Sequence, residues 1–238
     1  SLGLVGSEMC IRDRELRHGD FFDDKLQLDV LVISAWNEFY EPQDGSMIKA
    51  LKERCGITVK DLRRALDFSK IPSISAWISD DLTSVEPPLN WKADRSRFKR
   101  LVVIESPKND STTDQQPSLE EGIPVFHQMF RMLALLKLHG IDCHTVATPL
   151  LNTGRQGAEL QPLIAGLRRS MRAGFENVPE LRNLVIFDLK ANAIQELSTA
   201  INEDLKRPEI QGEVIVLDDQ LGFDPKPLRK QLQRLLKR

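Results

Sequence analysis

The sequence is poor in cysteine, has no long apolar run and carries no excess of charge of one sign. Three cysteines in 238 residues are too few for a disulfide framework, so we expect a reducing compartment and a cytoplasmic protein. No run approaches the roughly 20 apolar residues of a membrane helix, so we expect no membrane span. Because 33 basic residues face 35 acidic ones, with a formal net charge of -2, we do not expect nucleic acid as a partner.

The sequence also lacks histidines and cysteines at the spacing of a metal-binding site. His127, His139 and His144 have no spacing typical of a metal site, and no cysteine pair accompanies them. No order of histidine and carboxylate beside Cys55 or Cys143 suggests an activated thiol, so we interpret both as small buried hydrophobic residues. We therefore expect neither a metal nor a cofactor.

Residues 1–14 (SLGLVGSEMCIRDR) resemble a translated sequencing adapter, and we set them aside from the fold. The remaining chain divides into one domain at 15–205 and a C-terminal strand and helix at 206–238. With 41% hydrophobic and 29% charged residues, the chain has enough apolar material for a core of its own.

Apolar runs and helical spacings alternate along the chain. Buried strands are predicted at 28–35 (LDVLVISA), 98–105, 141–147, 184–187 and 214–217, with a short one at 75–78. Helices are predicted at 45–54, 58–68, 119–139, 160–173, 191–205 and 227–236, with Gly56 and Gly140 as C-terminal caps. This alternation predicts an α/β fold, a three-layer α/β/α sandwich around a mixed, mainly parallel sheet with right-handed crossovers.

The segment 146–157 (VATPLLNTGRQG), between a strand and a helix, is a candidate phosphate-binding loop. Pro149 ends the strand, and Gly154 and Gly157 let the backbone turn sharply and approach a ligand. Backbone N–H groups beside a helix N-terminus then form an anion site. Taken alone, the segment fits equally well a tight strand-to-helix turn that binds nothing.

A second loop, 37–45, also leads from a buried strand into a helix. Open α/β sheets bind their ligands where such loops converge, outside the carboxyl ends of the strands. Trp36 and Tyr40 flank this loop and could stack on a base or ribose, although the end of a buried strand favours a core position for Trp36.

The ordered set of motifs resembles the macro domains over about residues 17–205. The residues that carry the resemblance are Gly19-Asp20-Phe21, then Ser34-Ala35-Trp36-Asn37, then Gly45-Ser46-Met47, then Pro149 with Thr153, Gly154 and Gly157, and last the strand-like run 181–188. Macro domains bind ADP-ribose and related nucleotides, and some hydrolyse ADP-ribosyl esters or deacetylate O-acetyl-ADP-ribose.

The resemblance implies a role for each matching position. Asp20 would accept a hydrogen bond from the adenine amino group, Asn37 would meet the distal ribose, and Gly45 with Ser46 would bind the diphosphate. In a hydrolase, Asn37 and the backbone at Gly45 would position the water. The other residues expected to line the site are Phe21, Ser34, Ala35, Met47, Pro149, Asn152, Thr153, Gly154, Arg155, Gln156, Gly157 and Phe187.

The first loop departs from the family pattern. It has a single glycine where hydrolases carry three or four, and Glu41 and Asp44 bring negative charge toward a diphosphate unless they turn to solvent. Ser34 replaces the family's asparagine, and Ala158 replaces a frequent aromatic residue. The single glycine favours ADP-ribose binding without hydrolysis. The acidic first loop and the missing aromatic residue instead support the alternative, a ligand-free interaction module.

Overall fold

The computed structural model of the chain describes residues 13–19, 21–23, 25–84, 96–106, 124–151, 160–188, 191–205 and 213–216. The strands in these ranges are β1 (Asp13–His18), β2 (Gln27–Trp36), β3 (Arg64–Asp67), β4 (Ala76–Ser79), β5 (Arg97–Ser106), β6 (Thr145–Pro149), β7 (Asn183–Asp188) and β8 (Glu213–Val216). The helices are α1 (Met47–Cys55), α2 (Pro124–Leu138), α3 (Leu160–Asn177) and α4 (Ala191–Leu205). None of the helices in the described part of the chain has the length and apolar content of a membrane span.

All these strands belong to one sheet in the order β3-β4-β5-β2-β6-β7-β1-β8. The pairs from β5 across to β8 are parallel, and β3 and β4 add an antiparallel edge. The prediction of a mixed, mainly parallel sheet is confirmed. Because parallel strands point the same way, the loops that follow β1, β2, β5, β6 and β7 all leave from one edge of the sheet, called here the carboxyl edge.

Side chains of β2 alternate between two hydrophobic cores, one on each face of the sheet. Val30 and Val32 face the core formed with α2, α3 and α4, whereas Leu31 and Ile33 face the core formed with α1. All four side chains are fully buried. A strand buried on both faces produces a continuous apolar run, which is why β2 is visible in the sequence.

Glycine ends both predicted helices as expected. Gly56 follows α1 with φ 73°, and its N–H donates to the Leu51 and Lys52 carbonyls of that helix. Gly140 follows α2 with φ 71°, and its N–H donates to the Lys137 carbonyl at 3.0 Å. Both residues adopt the left-handed conformation that glycine reaches without a Cβ penalty.

The helix predicted at 58–68 is wrong. Residues Val59–Asp61 form a 3-10 turn, and Arg64–Asp67 form the edge strand β3, antiparallel to β4. Residues of β4 are buried throughout, so the sheet offers β3 a buried neighbour with unpaired backbone groups. Tertiary pairing of this kind overrides a weak helical spacing in a segment of only eleven residues.

The first and the last strand of the described chain, β1 and β8, pair with each other at the β7 side of the sheet. β1 lies between β7 and β8, in parallel register with both. It begins two residues before position 15, so the boundary expected after residue 14 falls inside a strand. β8 confirms the strand expected at 214–217. The helix expected at 227–236 lies outside the described residues.

Packing between α2 and α3 requires a glycine at position 174. A Cβ on Gly174 would overlap the ring of Phe130, which is buried in the core. We expect Gly174→Ala to lower the free energy of unfolding by about 1–3 kcal/mol, measured by urea denaturation, because the added Cβ forces the Phe130 ring out of its packed position. In a Phe130→Ala background the same change should cost nothing, since alanine is the better helix former. Equal stability of Gly174→Ala and the parent chain would contradict this packing.

Candidate functional site

The segments that carry the sequence motifs start from the carboxyl edge of the sheet. The segment with Asp20 follows β1, the loop 37–46 follows β2, and the loop after Pro149 follows β6. Across the sheet these strands lie in the order β2-β6-β7-β1. With strands about 4.8 Å apart, the starting points span about 14 Å across the sheet.

Phe21 and Phe187 form a buried aromatic contact beneath this edge. Their ring centroids lie 5.4 Å apart, and both side chains are at most 5% exposed. The Gly19 N–H donates to the Asp188 carbonyl at 2.9 Å, which ties the end of β1 to the end of β7. Phe21 and Phe187 therefore anchor the segment after β1, while Asp20 itself lies outside the described residues.

The end of β2 presents Asn37 to solvent. Ala35 is buried and Ser34 is half-buried, whereas Asn37 is exposed. The Asn37 N–H donates to the Ser106 carbonyl at 3.0 Å, so the start of the loop is tied to the end of β5. Glu38 then turns the chain with φ 56°, an uncommon value for a residue with a side chain.

Ser46 caps α1. Its hydroxyl oxygen accepts from the Lys49 N–H at 3.1 Å, and the hydroxyl donates to the Gln43 carbonyl at 2.6 Å. The Ser46 N–H also donates to the Gln43 carbonyl, at 3.0 Å. Ser46 is thus committed to local structure, and the N–H groups left for a ligand in the first turn of α1 are those of Met47 and Ile48.

The acidic residues of the first loop turn away to solvent and pair with lysines. Asp44 is 82% exposed on its side chain and pairs with Lys49, and Glu41 is 59% exposed and pairs with Lys60 at 3.4 Å. Gly45, between them and the helix, has φ 74° and open space where a Cβ would stand. The negative charge that the sequence placed near a diphosphate is therefore paired and solvated.

Pro149 ends β6 in register with Phe187 of β7, and the buried Leu150 and Leu151 follow it. The remaining residues expected in the second loop, which are Asn152, Thr153, Gly154, Arg155, Gln156 and Gly157, lie outside the described residues. The structure thus describes the starting point of this loop, one strand away from the start of the first loop.

A buried polar network that the sequence analysis missed lies beneath the first loop. The Tyr40 hydroxyl donates to Glu105 Oε1 and accepts from Trp77 Nε1 at 3.1 Å and from Arg64 Nη2 at 3.3 Å. The Arg64 guanidinium lies 4.6 Å from the centre of the Trp77 ring. Because Tyr40 is buried and its hydroxyl is engaged in this network, it cannot stack on a ligand in this conformation.

Glu105 is the acidic member of this network, near the end of β5 and only 2% exposed. Burial raises the pKa of its carboxyl from 4.5 to about 7, the nearby Glu38 carboxylate adds to the rise, and a hydrogen bond with the Glu38 backbone opposes it. One feature of the sequence could have indicated this buried carboxyl: Glu105 directly follows the apolar run Val102-Val103-Ile104 of a buried strand.

The raised pKa of Glu105 makes protein stability depend on pH. Between about pH 4.5 and 7 the folded state binds the Glu105 carboxyl proton more tightly than the unfolded state does. The contribution of this proton to the stability of the folded protein is therefore complete below pH 4.5 and is lost as pH rises through 7. We expect Glu105→Gln to remove this pH dependence, which amounts to at most about 3 kcal/mol in the free energy of unfolding between pH 4.5 and neutral pH. Denaturation across this pH range measures it, and equal slopes in both proteins would contradict a buried titrating Glu105.

Comparison with known proteins gives a match in structure only. No protein-family model matches the chain, and no curated protein matches it. A mutant of the Oceanobacillus iheyensis macrodomain matches over 80% of this chain and 92% of its own, at 15% identity and a TM-score of 0.51. The Trypanosoma brucei macrodomain in complex with ADP-ribose matches over 78% of this chain and 68% of its own, at 10% identity and a TM-score of 0.50.

The structure called alphavirus P23pro-zbd covers 93% of this chain, at 14% identity and a TM-score of 0.52. The chain spans 27% of the length of that alphavirus protein. All three structures share with this chain an arrangement of helices around a mixed sheet, although few residues are identical. The chain therefore has the macrodomain fold, in a form that is highly divergent in sequence.

Proposed function

We propose that this protein binds ADP-ribose, or a related nucleotide derived from NAD, along the carboxyl edge of its sheet. The observation that carries the proposal is the order of the strands. Asp20 follows β1, the glycine-containing second loop follows β6, and Asn37 follows β2, with β6 between the other two in the sheet. Adenine, diphosphate and distal ribose follow one another in the same order along the ligand.

Each part of the ligand has a matching group at its end of the site. Asp20 accepts a hydrogen bond from the adenine amino group. The N–H groups of the second loop and of the first turn of α1 bind the diphosphate, helped by the positive end of the helix dipole. Asn37, which is exposed, meets the distal ribose. Arg155 adds a charge-assisted bond to phosphate.

Binding without hydrolysis is the form of this function that we favour. Water placement against the scissile bond requires close approach of the backbone, and the first loop has only Gly45 to allow it. Ser46 is occupied with capping α1. Asn37 and the backbone at Gly45 would position the water if hydrolysis occurs, so the release of ADP-ribose from an ADP-ribosyl ester is the assay for it.

Calorimetric titration with ADP-ribose, AMP and NAD tests the proposal. We expect saturable binding of ADP-ribose, tighter than that of AMP because AMP lacks the second phosphate and the distal ribose. Asp20→Ala should weaken binding about tenfold, the weight of one hydrogen bond to a charged group. Gly154→Glu should abolish binding, because it brings an anion into the phosphate site.

Asp61→Ala serves as the matched control, since Asp61 is an exposed aspartate at the end of the 3-10 turn that follows α1. It should bind ADP-ribose as the parent chain does. A folded protein that binds no ADP-ribose at millimolar concentration overturns the proposal and leaves the interaction module. In that case the Asp20→Ala and Gly154→Glu variants should bind the protein partner unchanged.

A further inference from the structure

Glu105 is placed to hold the start of the first loop. In the β2–β5 register it lies opposite Ala35, two positions before Asn37. It hydrogen-bonds with the Glu38 backbone and accepts from the Tyr40 hydroxyl, so it contacts the loop at two points just after Asn37. The Asn37 N–H is held separately by the Ser106 carbonyl. Three hydrogen bonds thus join the end of β5 to residues 37–40.

Tyr40 extends this attachment to the antiparallel side of the sheet. Its hydroxyl accepts from Trp77 of β4 and from Arg64 of β3 while it donates to Glu105. With its oxygen already receiving two donors, the hydroxyl proton is directed at the carboxylate. The hydroxyl therefore needs an acceptor at Glu105, and an ionised carboxylate is the strongest acceptor available.

Protonation of Glu105 disturbs this arrangement. A carboxylate can accept from the Tyr40 hydroxyl and the Glu38 N–H at the same time. A protonated carboxyl has no negative charge, and the oxygen that carries the hydrogen is a poorer acceptor. The hydrogen bonds from Glu105 to the loop then lose their charge assistance and weaken.

We propose that Glu105 is a positioning residue for the nucleotide site: its carboxylate fixes the first loop so that Asn37 and the N-terminus of α1 face the ligand, and its protonation weakens binding. This inference rests on the proposed function. Glu105 touches no ligand in this arrangement and acts through Tyr40 and the Glu38 backbone.

The charged groups around Glu105 do not change their protonation near neutral pH, so we attribute the expected pH dependence of binding to Glu105. Glu38 is exposed, its carboxyl pKa is lowered by the hydrogen bond to Lys70, and it stays ionised near neutral pH. Arg64 carries a permanent charge and pairs with Asp67 at 2.7 Å. Burial brings the pKa of Glu105 to about 7. The diphosphate of ADP-ribose keeps the same charge on both sides of neutrality, so the ligand adds no titration of its own.

The dependence of ADP-ribose affinity on pH is the first test. We expect the parent chain to bind about fivefold more tightly at about pH 8 than at about pH 6, the difference between a charge-assisted and a neutral hydrogen bond. Glu105→Gln should bind equally at both values. Tyr40→Phe should bind about fivefold more weakly than the parent at the higher pH. Glu180→Gln, which alters a partly buried carboxylate near the opposite edge of the sheet, should keep the parent's pH dependence.

A second readout needs no ligand. The Trp77 indole N–H donates to the Tyr40 hydroxyl, so its NMR signal, assigned with Trp77→Phe, should shift with a midpoint near neutral pH in the parent and stay constant in Glu105→Gln. Absence of ADP-ribose binding at every pH overturns the proposed function, even with a titrating indole. Equal affinity at both pH values beside a titrating indole overturns the Glu105 proposal alone. An indole that does not titrate overturns the coupling from Glu105 through Tyr40.

Discussion

The parallel pairing of β2 with β5 on one side and β6 on the other is the constraint on which the site depends. β2 is buried on both faces, so its position is fixed by two hydrophobic cores as well as by two ladders of hydrogen bonds. Its carboxyl end places Asn37 next to the end of β5, where the Asn37 N–H donates to the Ser106 carbonyl. The start of the first loop is therefore set by a strand that is paired on both sides and buried on both faces, and local hydrogen bonds position the loop residues beyond it.

The interactions that position the first loop and α1 are of two kinds. Ser46 and Gly56 fix the ends of α1 through backbone geometry and capping hydrogen bonds, which are insensitive to pH. Glu105 instead holds the loop with a buried carboxylate, which costs stability when it is ionised. A buried carboxyl that has a raised pKa and also orders a loop is typical of functional sites. The same buried carboxylate therefore lowers the stability of the folded protein and positions the first loop.

The sequence predicted much of the fold because its central strands are apolar on both faces. β2, β5 and β7 appear as short apolar runs, and α1 and α2 are each followed by a glycine with positive φ. The edge strand β3 was mistaken for a helix, since only its pairing with β4 decides its conformation.

The candidate site was predicted less completely than the fold. Motif spacing led to Asn37, Gly45 and Pro149, all near one edge of the sheet. It could not reveal the network around Glu105, because Arg64 and Trp77 come from strands far along the chain and meet Tyr40 only after folding. It also expected Phe21 and Phe187 at the ligand, which stays a prediction; the structure shows the two rings buried against each other.

Backbone amide NMR of the chain during titration with ADP-ribose tests the central claim most directly, because it reports where a ligand binds as well as whether it binds. Binding along the carboxyl edge predicts that the largest shifts occur at Gly19, Asn37, Gly45 and Met47, with small shifts at the amino ends of the strands. Shifts centred on the amino ends, or on the faces of α2 and α3, would contradict a nucleotide site built from the loops after β1, β2 and β6.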